Sequence, residues 1–240
     1  MGYDKGYGNS YSQSSSYSQS SVFATLMRNV YIWMTCGLLM TGLTAMIIAK
    51  DENLIKTIFT TNLYWVLLIA EIGLVFFISS MINRISFVTA GLLFAIYSII
   101  NGATLSIIML AYTEESIAQT FFVTAGTFGG MSLVGFFIKK DLSAIGRILI
   151  MALIGLIVAS IVNIFWANDM FTSILNYIGV IIFVGLTAYD TQKIKNMMLE
   201  AQHYGVNDQT NKIALLGSLT LYLDFVNLFL YLLRIFGRRR

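Results

Sequence analysis

The stretch IGRILIMALIGLIVASIVNIFW, residues 145–166, carries one charge, Arg147, in 22 residues. As an α-helix rising about 1.5 Å per residue it is about 33 Å long, enough to cross a hydrocarbon core of about 30 Å. Runs of similar length and character recur upstream at 118–138, 86–111, 63–82 and 30–49, and downstream at 171–189 and 213–236. Seven such runs predict an all-α membrane protein with seven transmembrane helices. The polar breaks at 50–62, 83–85, 112–117, 139–144 and 167–170 are short, and 190–212 is longer. Tight connections make consecutive helices antiparallel neighbours in a bundle.

Composition agrees. Hydrophobic residues are 57% of the 240 and charged residues 11%, against roughly 45–50% and about 25% in a soluble domain. A chain of this length cannot hide that much apolar surface in a dry core, so the surplus faces the lipid bilayer. Soluble enzymes and disordered chains are poor fits. The net charge of +3 comes without a basic stripe interleaved with aromatics, which argues against nucleic acid. Cys36 is the one cysteine; no intrachain disulfide can form, and its expected role is a small buried hydrophobe. There is no proline. Proline kinks are thereby removed, leaving glycines such as Gly126, Gly129 and Gly217, or tilting of whole helices, to provide any bend.

Residues 1–28 read differently. Eight serines fall between Ser10 and Ser21, and YSQSS occurs at 11–15 and again at 17–21. With few aliphatic side chains to bury, this segment is expected to be a disordered tail, ahead of a membrane domain over 29–237 and a basic end at 238–240. Trp33, Trp65 and Trp166 fall near run ends, where interfacial aromatics are expected. Gly126 with Gly130, and Gly155 with Ala159, have the spacing that permits close helix contact in lipid. Nine Lys and Arg lie on the N-terminal side and six opposite, which predicts a cytoplasmic N-terminus. The C-terminal arginines count against that arrangement and would be relieved if the last segment were re-entrant; both options stay open.

Ionisable groups inside a span are costly, and each is a functional candidate. Glu71 lies mid-run in the second span and Asp224 mid-run in the seventh, with Asn227 one turn on and Tyr222 nearby. Asp190 closes the sixth run. A structural reading exists for each: Glu71 as a neutral acid bonded to a neighbouring helix, Asp190 as a helix-end acid paired with Lys193. His203 reads as a solvated loop residue. If Asp190 and Asp224 approach, both cannot ionise cheaply and a proton would be shared as a property of the pair. Such a pair can act as a proton sensor, a cation site or a catalytic dyad.

GLTAYDTQKIKN (185–196), LYLDFVNLFLYLLRIFG (221–237) and KKDLS (139–143) resemble the Bax inhibitor-1 family, most closely its bacterial inner-membrane branch, with the likeness running from about 25 to 237. The resemblance implies seven helices with the last one central, ringed by the other six. It implies a pH-sensitive calcium leak whose paired-aspartate sensor matches Asp190 and Asp224, with calcium or another cation bound transiently there and no other cofactor. It also implies a latch arginine at the cytoplasmic end of the second helix, for which Arg84 in SSMINRIS is the nearest candidate, and a pore acid at Glu71. Asn227 and backbone carbonyls could add oxygen ligands for calcium. Some bacterial relatives modulate a membrane-bound protease, so a membrane protease is a possible partner, and the tail a possible interaction arm. An intramembrane aspartyl protease fits poorly: LYLD stands where that class has GxGD, and a chain without proline lacks its Pro-Ala-Leu motif. A retinal-type receptor lacks the lysine it needs in the seventh span. No Cys/His cluster for zinc or phosphate-binding glycine loop occurs. The expected function is a non-enzymatic cation leak.

Overall fold

The structure is a computed structural model that describes residues 7–240, with side chains from Gln19 onward. Its helices are α1 (Tyr7–Ala49), α2 (Glu52–Thr60), α3 (Leu63–Met81), α4 (Phe87–Ala111), α5 (Glu114–Phe137), α6 (Ser143–Trp166), α7 (Asp169–Ala201) and α8 (Asp208–Phe236), with a 3-10 turn at Gln202–Tyr204. Seven of them are long and apolar enough to cross a membrane. The eighth, α2, lies in the break at 50–62 and is capped by Asp51, whose carboxylate accepts from the amides of Asn53 and Leu54.

Side-chain caps extend several helices past their apolar runs. Thr113 accepts from the Ser116 amide to start α5, and Asn168 accepts from the Phe171 amide to start α7. Asn207 and Thr210 form a reciprocal capping box that starts α8 well before its apolar run at 213. Each cap satisfies an amide that the first helical turn leaves free. The connection expected over 190–212 consequently shrinks to the few residues between α7 and α8. Asp190 lies inside a 33-residue helix rather than at its end, because Ile194, Met198 and Ala201 continue a buried face through the polar sequence.

The last helix carries the core. α8 packs against α1, α4, α5 and α7, and more of its apolar window is buried than that of any other span. The ring of six around it is only partly realised, since α3 rests chiefly on α4 and α6 on α7 as an outer layer. Ile78 alone is buried in α3, and only Gly146 and Leu156 in α6. α8 is unbroken from Asp208 to Phe236. Beyond it the chain turns back onto the α4–α5 connection, where Thr113 donates to the Arg238 carbonyl (3.0 Å), Arg240 donates from its amide to Ala111 (3.1 Å), and the Arg240 guanidinium lies 3.5 Å from Glu114. The basic end at 238–240 is therefore pinned.

Other expectations shift. Residues 1–6 of the expected tail lie outside the described residues. α1, however, begins at Tyr7, and Leu26 and Met27 are buried, so the bundle starts before residue 29. The cause is the apolar series Phe23, Leu26, Met27, Val30 and Met34, spaced for one helix face. Trp65 and Trp166 are exposed, but Trp33 packs inward on the Phe87 and Phe94 rings. Cys36 is exposed on α1 rather than buried. Gly126, Gly130 and Gly155 have open space around them. Close helix approach occurs elsewhere: a Cβ on Gly102 would meet the Thr41 carbonyl at 2.5 Å, and one on Gly135 would strike the Ala188 backbone.

Candidate functional site

Each helical residue turns about 100° from the last, so residues two apart on α8 point nearly opposite ways. Tyr222 and Asp224 use this to face different neighbours. Asp224 looks toward α7, where its carboxyl group meets that of Asp190. The two side chains are 5% and 9% exposed. Oδ2 of Asp224 has no hydrogen-bond partner among the described residues. The α7 side of this contact is held by hydroxyls: Thr191 contacts Ser132 of α5 at 2.9 Å, and Ser132 contacts the Tyr31 hydroxyl of α1 at 3.3 Å. Lys193, the charge nearest Asp190 along its helix, is exposed.

Tyr222 looks toward α1 and α4. Its hydroxyl lies 2.6 Å from the Thr41 hydroxyl and donates to Oδ1 of Asn101 at 2.9 Å. Asn101 in turn donates through Nδ2 to Glu71 at 3.1 Å, and the Thr104 hydroxyl donates to the other Glu71 oxygen at 2.6 Å. Four helices thus meet in one polar network. It gives Glu71, on the lipid-facing helix α3, a buried anchor. The Tyr97 ring packs edge-on against Tyr222, 5.6 Å between centroids.

The sequence candidates therefore separate. Asp190 and Asp224 are together; Glu71 joins a different cluster on the far side of α8. Arg84 is exposed at the α3–α4 turn and makes no ion pair among the described residues, so the latch is not formed in this structure. Asn227 is half-buried and donates to the Leu223 carbonyl of its own helix (2.8 Å). Thr41, Asn101 and Thr104 carry part of the arrangement without having been singled out. Asn101, an amide within an otherwise apolar run, was the available signal. No group of three or more His, Cys, Asp or Glu able to hold a metal exists among the described residues. Two carboxylates fall short of the six to eight oxygens of a resident calcium site.

A family model described as "Inhibitor of apoptosis-promoting Bax1" matches residues 23–240. The chain is 49% identical over 219 residues to Inner membrane protein YbhL of Escherichia coli (strain K12), covering 90% of this chain and 92% of that protein. It is 41% identical over 216 residues to an uncharacterized protein of Deinococcus radiodurans, covering 90% and 91%. An uncharacterized protein of Borreliella burgdorferi is 42% identical over 217 residues, covering 89% and 92%.

Proposed function

The chain belongs to the Bax inhibitor-1 family, and from that premise we propose that this multi-pass membrane protein is a pH-sensitive cation leak, calcium being its cargo, gated by Asp190 and Asp224. The observation that carries the reading is the meeting of the two motif aspartates inside the bundle, with one oxygen left without a partner. Two carboxyl groups in contact hold together when they share one proton and repel when both ionise. In the protonated form α7 and α8 stay joined and the path is closed. As pH rises the proton is lost, the helices part at this point, and paired carboxylates face the passing cation. Asn227, one turn beyond Asp224 on α8, remains a candidate for a further stop along the path, whereas both Glu71 oxygens are taken by Asn101 and Thr104. The name of the Escherichia coli relative and the bias of nine basic residues against six support a bacterial inner membrane with a cytoplasmic N-terminus.

Calcium-loaded proteoliposomes scanned across pH provide the test. Flux should rise with pH in the wild type and lose that dependence in Asp224→Asn and Asp190→Asn. A wild-type pH profile retained in both variants would overturn the assignment of the gate.

A further inference from the structure

Two lysines near the N-terminal side of the bundle are withdrawn from water, and only one has a counter-charge. Lys212 is 7% exposed; its ammonium lies 3.3 Å from the Asp208 carboxylate and donates to the Ile85 carbonyl at 3.1 Å. Half-buried Lys195 donates to the Phe136 carbonyl at 2.7 Å and sits over the Phe136 ring, 5.2 Å from its centroid. Among the described residues no carboxylate lies within ion-pair distance of it. A charge partly removed from water is costly unless it is matched. An ammonium has three donors, and the Phe136 carbonyl takes one.

Lys195 borders a cavity of about 310 Å³ between the α5–α6 connection and α7, lined also by Ile138, Lys139, Asp141, Gln192 and Asn196. Gln192 fixes its wall: Oε1 accepts from the Leu142 amide at 2.8 Å, and Nε2 donates to the Lys140 carbonyl at 2.9 Å. Asp141 is engaged by Ser143, whose amide and hydroxyl both reach Oδ1, at 2.9 and 2.7 Å. The lining thus sets two lysines, Lys139 and Lys195, and the Asn196 amide against one carboxylate, Asp141, so positive charge is in excess. The cavity lies where α5 ends and α6 begins, at one end of two helices long enough to cross a membrane, which is where headgroups are expected. On the same two helices Phe137, adjacent in sequence to the lining residue Ile138, and Ile148 are 71% and 61% exposed, apolar surface along which acyl chains can lie.

We propose that this cavity binds the phosphate of an anionic phospholipid headgroup, with Lys139 and Lys195 supplying the charge, Asn196 a neutral donor, and the acyl chains lying along Phe137 and Ile148. Basic pockets between spans are suited to such headgroups. Free phosphate would meet the same donors but gain nothing from the apolar seat. Neither aspartate of the pair lines the cavity, and the site does not depend on the protein conducting cations.

The test uses the full-length protein in mild detergent, its unfolding temperature followed while phosphatidylglycerol, phosphatidylcholine or inorganic phosphate is added. A ligand that binds the folded state raises the midpoint saturably. Phosphatidylglycerol should do so and phosphatidylcholine should not. Loss of one lysine at the headgroup should weaken the half-saturation about fivefold in Lys139→Gln and in Lys195→Gln. Lys56→Gln, which removes an exposed charge elsewhere, should leave it unchanged. Lys139 is exposed, so its variant keeps the test alive if Lys195→Gln fails to fold. Equal responses to both lipids, a titration that Lys139→Gln leaves in place, or an equal weakening by Lys56→Gln would overturn the site. An equal shift with inorganic phosphate would overturn the lipid assignment in favour of a free-anion site.

Discussion

Glu71 and Asp224 are both acids inside membrane spans, yet their surroundings differ in kind. Both Glu71 oxygens are met, one by the Asn101 amide and one by the Thr104 hydroxyl. Asp224 faces a second carboxyl group and keeps one oxygen without a partner. A buried polar group that is fully bonded rigidifies its neighbourhood, whereas a half-satisfied one marks stress that the fold retains. Glu71 therefore acts as a pin that holds the outer helix α3 to the bundle. Asp224 is a poor pin, and under the proposed gate it is the switch. α8 bears both sides of this difference, because Tyr222 connects it to the pin while Asp224 meets the switch.

The largest stability effect is expected at the pin. Glu71→Ala leaves the Asn101 amide without its acceptor, while the Thr104 hydroxyl keeps the Asn101 backbone carbonyl at 3.0 Å, and a stranded buried donor costs about 1–3 kcal/mol. A loss of up to about 3 kcal/mol, read by denaturant unfolding in mixed micelles, is expected, with Glu71→Gln recovering part of it. A change below about 0.5 kcal/mol would remove the distinction between the two acids, since surface-like tolerance is not compatible with a pin. Gly135→Ala comes next. Its added methyl would meet the Ala188 backbone, two residues before Asp190, and overpacking of this kind costs about 1–3 kcal/mol. It should alter the flux profile of the aspartate pair while leaving the Glu71 network unaffected, which a double-mutant cycle with Glu71→Gln would show as additivity.

The seven spans were legible in the sequence because each is an apolar run longer than any competing requirement. The far end of α7 was not. Thr191, Gln192, Lys193 and Lys195 lower the average hydropathy there, although Ile194 and Met198 keep the four-residue spacing of a buried face. Averages hide periodicity. Asp224 was legible because acids in spans are rare, whereas Asp190 read as closing its run and was matched to Asp224 by the family resemblance. The Tyr222–Asn101–Glu71 network was not, because its members come from separate spans and only the crossing of helices brings Thr41 and Asn101 to one hydroxyl. The Lys195 cavity was hidden for the same reason, its wall being set by Gln192 reaching the loop some fifty residues earlier.

Tyr222→Phe tests whether pin and switch are separable. It deletes one hydroxyl that contacts Thr41 and Asn101, a loss of about 1–2 kcal/mol for a buried bonded group. The pH dependence of flux should stay with Asp190 and Asp224. If the profile instead shifts as it does in Asp224→Asn, the two faces of α8 form one device. For Asp224→Asn itself, stability should change by less than about 1 kcal/mol, because the new amide can donate to Asp190 and one conflicting charge is gone. A loss as large as that of Glu71→Ala would make Asp224 a second pin.

The smallest effect is expected at a carboxylate outside the spans, where water dilutes everything. The Ser143 hydroxyl, and then the Ser143 amide, hold the Asp141 carboxyl below its usual range. A carboxylate lowered in the folded state contributes stability that is present above its unfolded value and is lost as pH falls through the folded one. Its contribution should therefore be constant at neutral pH and fade only below about pH 4. Amide exchange at Ser143 measures this locally: protection should hold from neutral pH to mild acid and fall below that point, and Asp141→Asn should abolish the step. An exposed acid of this kind shows what an ordinary titration looks like in this chain. A flux profile that changed in the same acid window, and moved with Asp141→Asn, would place the pH response at the loop and not at the buried pair.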